Sequence, residues 1–79
     1  MTKRQKLLIA ICNNPTTVRF DDACKAAEML GFIKKAGKGS HCVYARKGEI
    51  VHLNFQNRNG YIYPYQAHQL IEMINKYED

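Results

Sequence analysis

Phe20-Asp21-Asp22-Ala23-Cys24-Lys25-Ala26-Ala27-Glu28-Met29-Leu30-Gly31-Phe32-Ile33-Lys34-Lys35 is the stretch in which the apolar period changes, and that change decides the fold. Phe20, Ala23, Cys24, Ala27 and Leu30 recur at helical spacing and form one buried stripe. Asp21 is the expected N-cap, because its carboxylate can accept the free N–H groups of the first turn. Gly31 suits the left-handed position just past the helix, and Phe32 can fold back onto the last turn. From Phe32 to Lys35 the helical period is gone, and a short strand is expected.

Downstream, Ala36-Gly37-Lys38-Gly39-Ser40 reads as a flexible basic loop and His41 to Arg46 as a second strand. Lys47-Gly48 makes a tight turn, and Ile50 to Phe55 a third strand with Val51, Leu53 and Phe55 inward. In the second strand Cys42 and Tyr44 are turned inward, which leaves His41 exposed. Gln56 to Gly60 is a polar loop. Pro64 opens a last helix, along which Ala67, Leu70, Ile71, Ile74 and Tyr77 form the apolar stripe. Upstream, Leu7, Leu8 and Ile11 mark a first helix over residues 3–13, ended by Asn13-Asn14-Pro15. The expectation is an α+β fold in a single domain over 1–79, with residues 1–13 as an N-terminal helical extension. Its core has α-β-β-β-α order: a three-stranded antiparallel sheet with two helices on one face. Double-stranded-RNA-binding domains have that order.

With 79 residues the chain supports one small core and no large enclosed pocket, so a surface site is expected. Twelve Lys and Arg against seven Asp and Glu give a formal charge of +5, which favours a polyanionic partner, nucleic acid or an acidic protein. No apolar run reaches the roughly 20 residues needed to cross a bilayer. The basic start and the apolar Leu7 to Cys12 imitate a signal peptide, but the run is short and Asn13-Asn14-Pro15 is no cleavage site. A cytoplasmic protein is expected. Cys12, Cys24 and Cys42 are odd in number and widely spaced, which suits three reduced, mostly buried thiols better than a disulfide framework or a zinc site.

The run Gly37-Lys38-Gly39-Ser40 imitates a nucleotide phosphate loop, but its spacing is wrong and it leads into a strand. It can still receive a phosphate, since Gly37 and Gly39 admit an oxyanion close to the backbone and Lys34, Lys35 and Lys38 add charge. His41 stands at its end. An imidazole can take the proton of an RNA 2′-hydroxyl at neutral pH, so His41 is the candidate catalytic residue. Lys34, Lys35, Lys38, Gly39 and Ser40 are the candidate RNA-binding residues. No carboxylate or thiolate cluster suggests a metal or other cofactor. His52 or His68 is the open choice for a second acid/base group. Tyr61, Tyr63 and Tyr65 can stack on bases or pack the last helix on the sheet, and the sequence does not choose.

Val18-Arg19-Phe20-Asp21-Asp22, Leu30-Gly31-Phe32, Lys38-Gly39-Ser40-His41 and Pro64-Tyr65-Gln66 with Gln69-Leu70 resemble, in that order, the HicA family of toxins. The resemblance spans about Asn14 to Tyr77. It implies a double-stranded-RNA-binding-like fold, mRNA endonuclease activity centred on His41, and inhibition by a HicB-type antitoxin. Related sequences often carry Lys where Tyr63 stands and Arg where His68 stands. A non-catalytic RNA-binding module of the same fold is the competing expectation.

Overall fold

A computed structural model describes residues 2–78; Met1 and Asp79, the outermost positions of the expected domain, lie outside the described residues. The elements are α1 (Lys3–Asn13), α2 (Phe20–Met29), β1 (Ile33–Lys38), β2 (His41–Ala45), β3 (Leu53–Gln56) and α3 (Pro64–Tyr77). The three strands form one antiparallel sheet in the order β1-β2-β3. Helices α2 and α3 pack against it, so the fold is α+β with the expected α-β-β-β-α core. Cys42, Tyr44, Leu53 and Phe55 are buried while His41 and Asn54 are exposed. Strand alternation therefore assigns the first set to the helix-covered face and the second to an open face.

The first helix begins with a capping box, in which the Gln5 N–H donates to Thr2 Oγ1 at 3.2 Å and the Thr2 N–H to Gln5 Oε1 at 3.1 Å. Helix α1 packs on α2 and α3, and Leu8 and Ile11 are buried in the same cluster as Ala27, Leu70 and Ile74. The segment expected as an extension is thus part of the core.

Asp21 is not the N-cap of α2; Arg19 is. Backbone pairing takes precedence here. The Phe20 N–H donates to Gly60 O at 2.9 Å and the Ile62 N–H to Val18 O at 3.0 Å. Those bonds set the helix start earlier than expected. Asp21 and Asp22 remain in the first turn, where they complement the helix dipole. The other end is as expected. Gly31 has φ +88°, its N–H donates to Glu28 O, and the Phe32 N–H reaches back to Ala27 O at 3.0 Å. This is a Schellman ending, and it buries Phe32.

Strand β1 does not stop at Lys35, and Ala36 to Ser40 is not a loop. The strand runs to Lys38, which pairs with His41 across a two-residue turn, Gly39-Ser40. Gly39 has φ +63° and Ser40 a negative φ, the arrangement that suits a hairpin turn with Gly first. A bulge between Lys34 and Ala36 takes up Lys35.

Strand β3 spans 53–56 and not 50–55, and β2 ends at Ala45 rather than Arg46. The intervening chain is held by side chains instead of ladder bonds. Glu49 accepts the Val51 N–H at 2.9 Å, pairs with Lys76 Nζ at 2.8 Å and accepts the Tyr77 hydroxyl. Arg46 donates to Leu30 O at 2.7 Å and lies 3.8 Å from the centre of the Tyr77 ring. Ile50 is left 94 % exposed on this loop.

In α3, Ala67, Leu70 and Ile74 are buried as expected, Ile71 and Tyr77 only partly, and Gln66 and Met73 join the core unforeseen. Cys42 is buried, but Cys12 and Cys24 are only half-buried, and none is bonded to another. Burial still pushes the Cys24 thiol up to about 11 and raises that of Cys12, so neither is an activated nucleophile. Among the described residues no helix is long and apolar enough to cross a membrane.

Candidate active site

His41 is the first residue of β2, directly after the Gly39-Ser40 turn. The register places Lys38 of β1 opposite it on one side and Gln56 of β3 on the other. Directly opposed residues share a face with Cβ atoms about 4.5–5.5 Å apart. Lys38, His41 and Gln56 thus form one row across the open face of the sheet. Ala36, Val43 and Asn54 form the next row. The Asn57 N–H donates to Ser40 O at 2.8 Å, which carries the β2–β3 pairing one step beyond His41 and fixes the turn.

The bulge separates the three lysines expected to act together. Lys34 is opposite the buried Tyr44, so it stands on the helix-covered face at the β1 edge. Its side chain runs along Gly37, where an added Cβ would come within 2.5 Å of Lys34 Cε and 3.1 Å of Nζ. Gly37 therefore makes room for the Lys34 side chain on this face of β1. Lys35 is the bulged residue, and only Lys38 shares the His41 row. The accessible backbone is at Gly39, where a Cβ would meet nothing within 4 Å. A phosphate approaching His41 meets Lys38, Gly39 and Ser40 first.

Neither remaining histidine enters this row. His52 precedes β3 by one residue and Gln56 by four, about 13 Å along an extended chain. His68 is exposed on α3, three residues after Tyr65 and on the same side of the helix. Among the described residues, no group of three or more His, Cys, Asp or Glu side chains could hold a metal ion.

At the β3 edge Gln66 has a role that the sequence reading did not foresee. Gln66 is 3 % exposed, and its Oε1 accepts the Gln56 N–H at 3.0 Å and the Tyr63 N–H at 3.2 Å. One side chain thus caps both the free edge of the sheet and the start of α3. Its Nε2 donates to the Tyr65 hydroxyl at 3.3 Å. A Gln three residues beyond the N-cap, with Pro64 between them, is a recognisable helix-start signal and could have identified it. Beside it the Tyr63 and Tyr65 rings stack at 5.9 Å, and Arg58 Cζ lies 4.7 Å from the Tyr63 ring centre.

The Glu49 cluster lies at the opposite end of the β2–β3 pair from His41. Hydrogen bonds from Lys76, Tyr77 and the Val51 N–H lower its carboxyl from 4.5 to about 2. In return Glu49 raises Lys76 and Tyr77. This is a structural latch between a loop and the last turn of α3, remote from the candidate site. No family model matches the chain, and neither a curated protein nor a solved structure matches it.

Proposed function

We propose that this chain is the toxin of a type II toxin–antitoxin system, an mRNA-cleaving endoribonuclease of HicA type held inactive by a HicB-type antitoxin. The observation that supports it most is the Lys38–His41–Gln56 row on an uncovered sheet face, at the mouth of an open glycine turn. His41 takes the proton of a 2′-hydroxyl as general base. The freed oxygen attacks the adjacent phosphorus and the bond from phosphorus to the 5′-oxygen breaks. One fragment ends in a 2′,3′-cyclic phosphate and the other, once its oxygen takes a proton from solvent, in a 5′-hydroxyl. The Lys38 ammonium and the Gln56 amide are donors for the charge that develops on the non-bridging oxygens. No step requires a metal.

Gly39 and Ser40 receive the reacting phosphate beside Lys38, while Lys35 at the bulge and Lys34 on the other face of β1 add general attraction for the rest of the strand. The work is cytoplasmic, where mRNA is found. The antitoxin covers the open face, where basic charge steers an acidic partner and Ile33, Ala36 and Val43 offer apolar contact.

A second reading, a non-catalytic RNA-binding module, draws on one observation: neither His52 nor His68 stands in the His41 row. Inducible expression of wild type beside His41→Ala separates the two. Growth arrest with loss of intact mRNA from the wild type alone supports the nuclease. Equal effects of both chains, or none from the wild type, refute it.

A further inference from the structure

Tyr65 is 62 % exposed, yet it is not a loose surface ring. Its hydroxyl accepts the Gln66 Nε2 hydrogen bond, and its ring stacks on Tyr63 with 29° between the planes. Arg58 lies against Tyr63 and leaves a cation at the same edge. An aromatic ring held in place without being covered presents a preorganised flat surface. Such a surface beside a guanidinium fits a nucleobase, because every base offers a π-face and is followed by a phosphate.

The position of this stack relative to His41 is set by Gln66. Two hydrogen bonds through one amide join the Tyr65 hydroxyl to the backbone of Gln56, the residue opposite His41. The stack therefore borders the end of the Lys38–His41–Gln56 row. A base inside a duplex has both faces covered by its neighbours, so it cannot lie on Tyr65 without leaving the stack.

We propose that the Arg58–Tyr63–Tyr65 stack is a platform for an unpaired base, and that the RNA presented to His41 is single-stranded. The proposal rests on the nuclease reading above for its substrate. It adds that recognition uses base stacking, so the shared topology with duplex-RNA binders does not carry over to duplex binding. Tyr65 is a positioning residue here, since it places the strand and does not touch the reacting phosphate.

The test uses full-length His41→Ala protein, which prevents cleavage, with an RNA of about 12 nucleotides. The RNA carries 2-aminopurine and is offered single-stranded or annealed to its complement. Binding to the single strand with quenching of the probe is expected, and weaker binding to the duplex. Adding Tyr65→Ala should weaken single-strand binding about 5- to 150-fold, the loss of one base stack, and abolish the quench. Tyr65→Phe, which keeps the ring, should bind close to the parent. Duplex bound as tightly as single strand overturns the proposal, as does a Tyr65→Ala chain that binds and quenches like its parent. Either result leaves the nuclease reading standing, with Tyr65 then a contact for a protein partner or for duplex. Failure to bind either RNA overturns both.

Discussion

Gln66→Met removes the acceptor that joins the sheet edge to α3 while keeping a straight side chain of similar length in the buried site. Two backbone donors, the N–H groups of Gln56 and Tyr63, lose their partner together. A buried donor left without a partner costs about 1–3 kcal/mol. Both residues are half-buried, so water reaches part of the gap and the lower end applies, about 2–3 kcal/mol for the pair. In a domain of this size each kcal/mol lowers Tm by about 4–8 °C, so a fall of about 8–24 °C is expected. Tyr65→Phe is the milder comparison, because it leaves only one donor, Gln66 Nε2, without its acceptor, at an edge where Tyr65 is exposed, and should cost about 1 kcal/mol. Thermal and urea unfolding followed by circular dichroism measure both. A Gln66→Met chain that melts within about 3 °C of wild type would refute the reasoning, since water would then serve both donors as well as Gln66 does.

Stability should fall on acidification from about pH 4.5 towards pH 2, because Glu49 is held at about 2 in the folded chain and the unfolded chain binds the proton more readily. Glu49→Gln should lose stability at neutral pH and show a flatter profile across that window; an unchanged slope in urea titrations would shift the effect to other carboxylates. Lys38→Gln should weaken RNA binding and flatten its salt dependence more than Lys34→Gln, since only Lys38 shares the His41 row. Equal effects on the two salt slopes would spread the binding surface over both faces of β1. Cleavage should persist in EDTA and yield 5′-hydroxyl ends; activity lost in EDTA and restored by magnesium would contradict the proposed chemistry.

Element order, the two helices flanking the sheet and the inward set Cys42, Tyr44, Leu53 and Phe55 were legible in the sequence because each rests on local periodicity. The Gly31-Phe32 helix ending was legible for the same reason. What was not legible depends on contacts between distant residues. The start of α2 is set by the 60–62 segment, and the chain between β2 and β3 is held by a carboxylate that bonds to α3. The bulge at Lys35 had the largest consequence for the site. It reverses the face of Lys34 relative to a regular strand, and no local pattern announces it. His41 was singled out as a candidate by its chemistry and its place after a glycine pair, and its exposure, which the structure bears out, followed from strand alternation. Its row partner Gln56 was not found, since register across the irregular chain between β2 and β3 cannot be counted from the sequence.

The central claim is that His41 performs chemistry and does not hold the fold. It is tested most directly by measuring, on purified protein, the single-turnover cleavage rate and the unfolding free energy of His41→Ala beside wild type. His41 is exposed at the start of β2, so its truncation opens no core cavity and stability should change by about 0.5 kcal/mol or less. Loss of general-base assistance should slow cleavage about 100- to 10,000-fold. A folded His41→Ala chain that cleaves RNA at the wild-type rate, or a wild type that does not cleave RNA at all, would contradict the account.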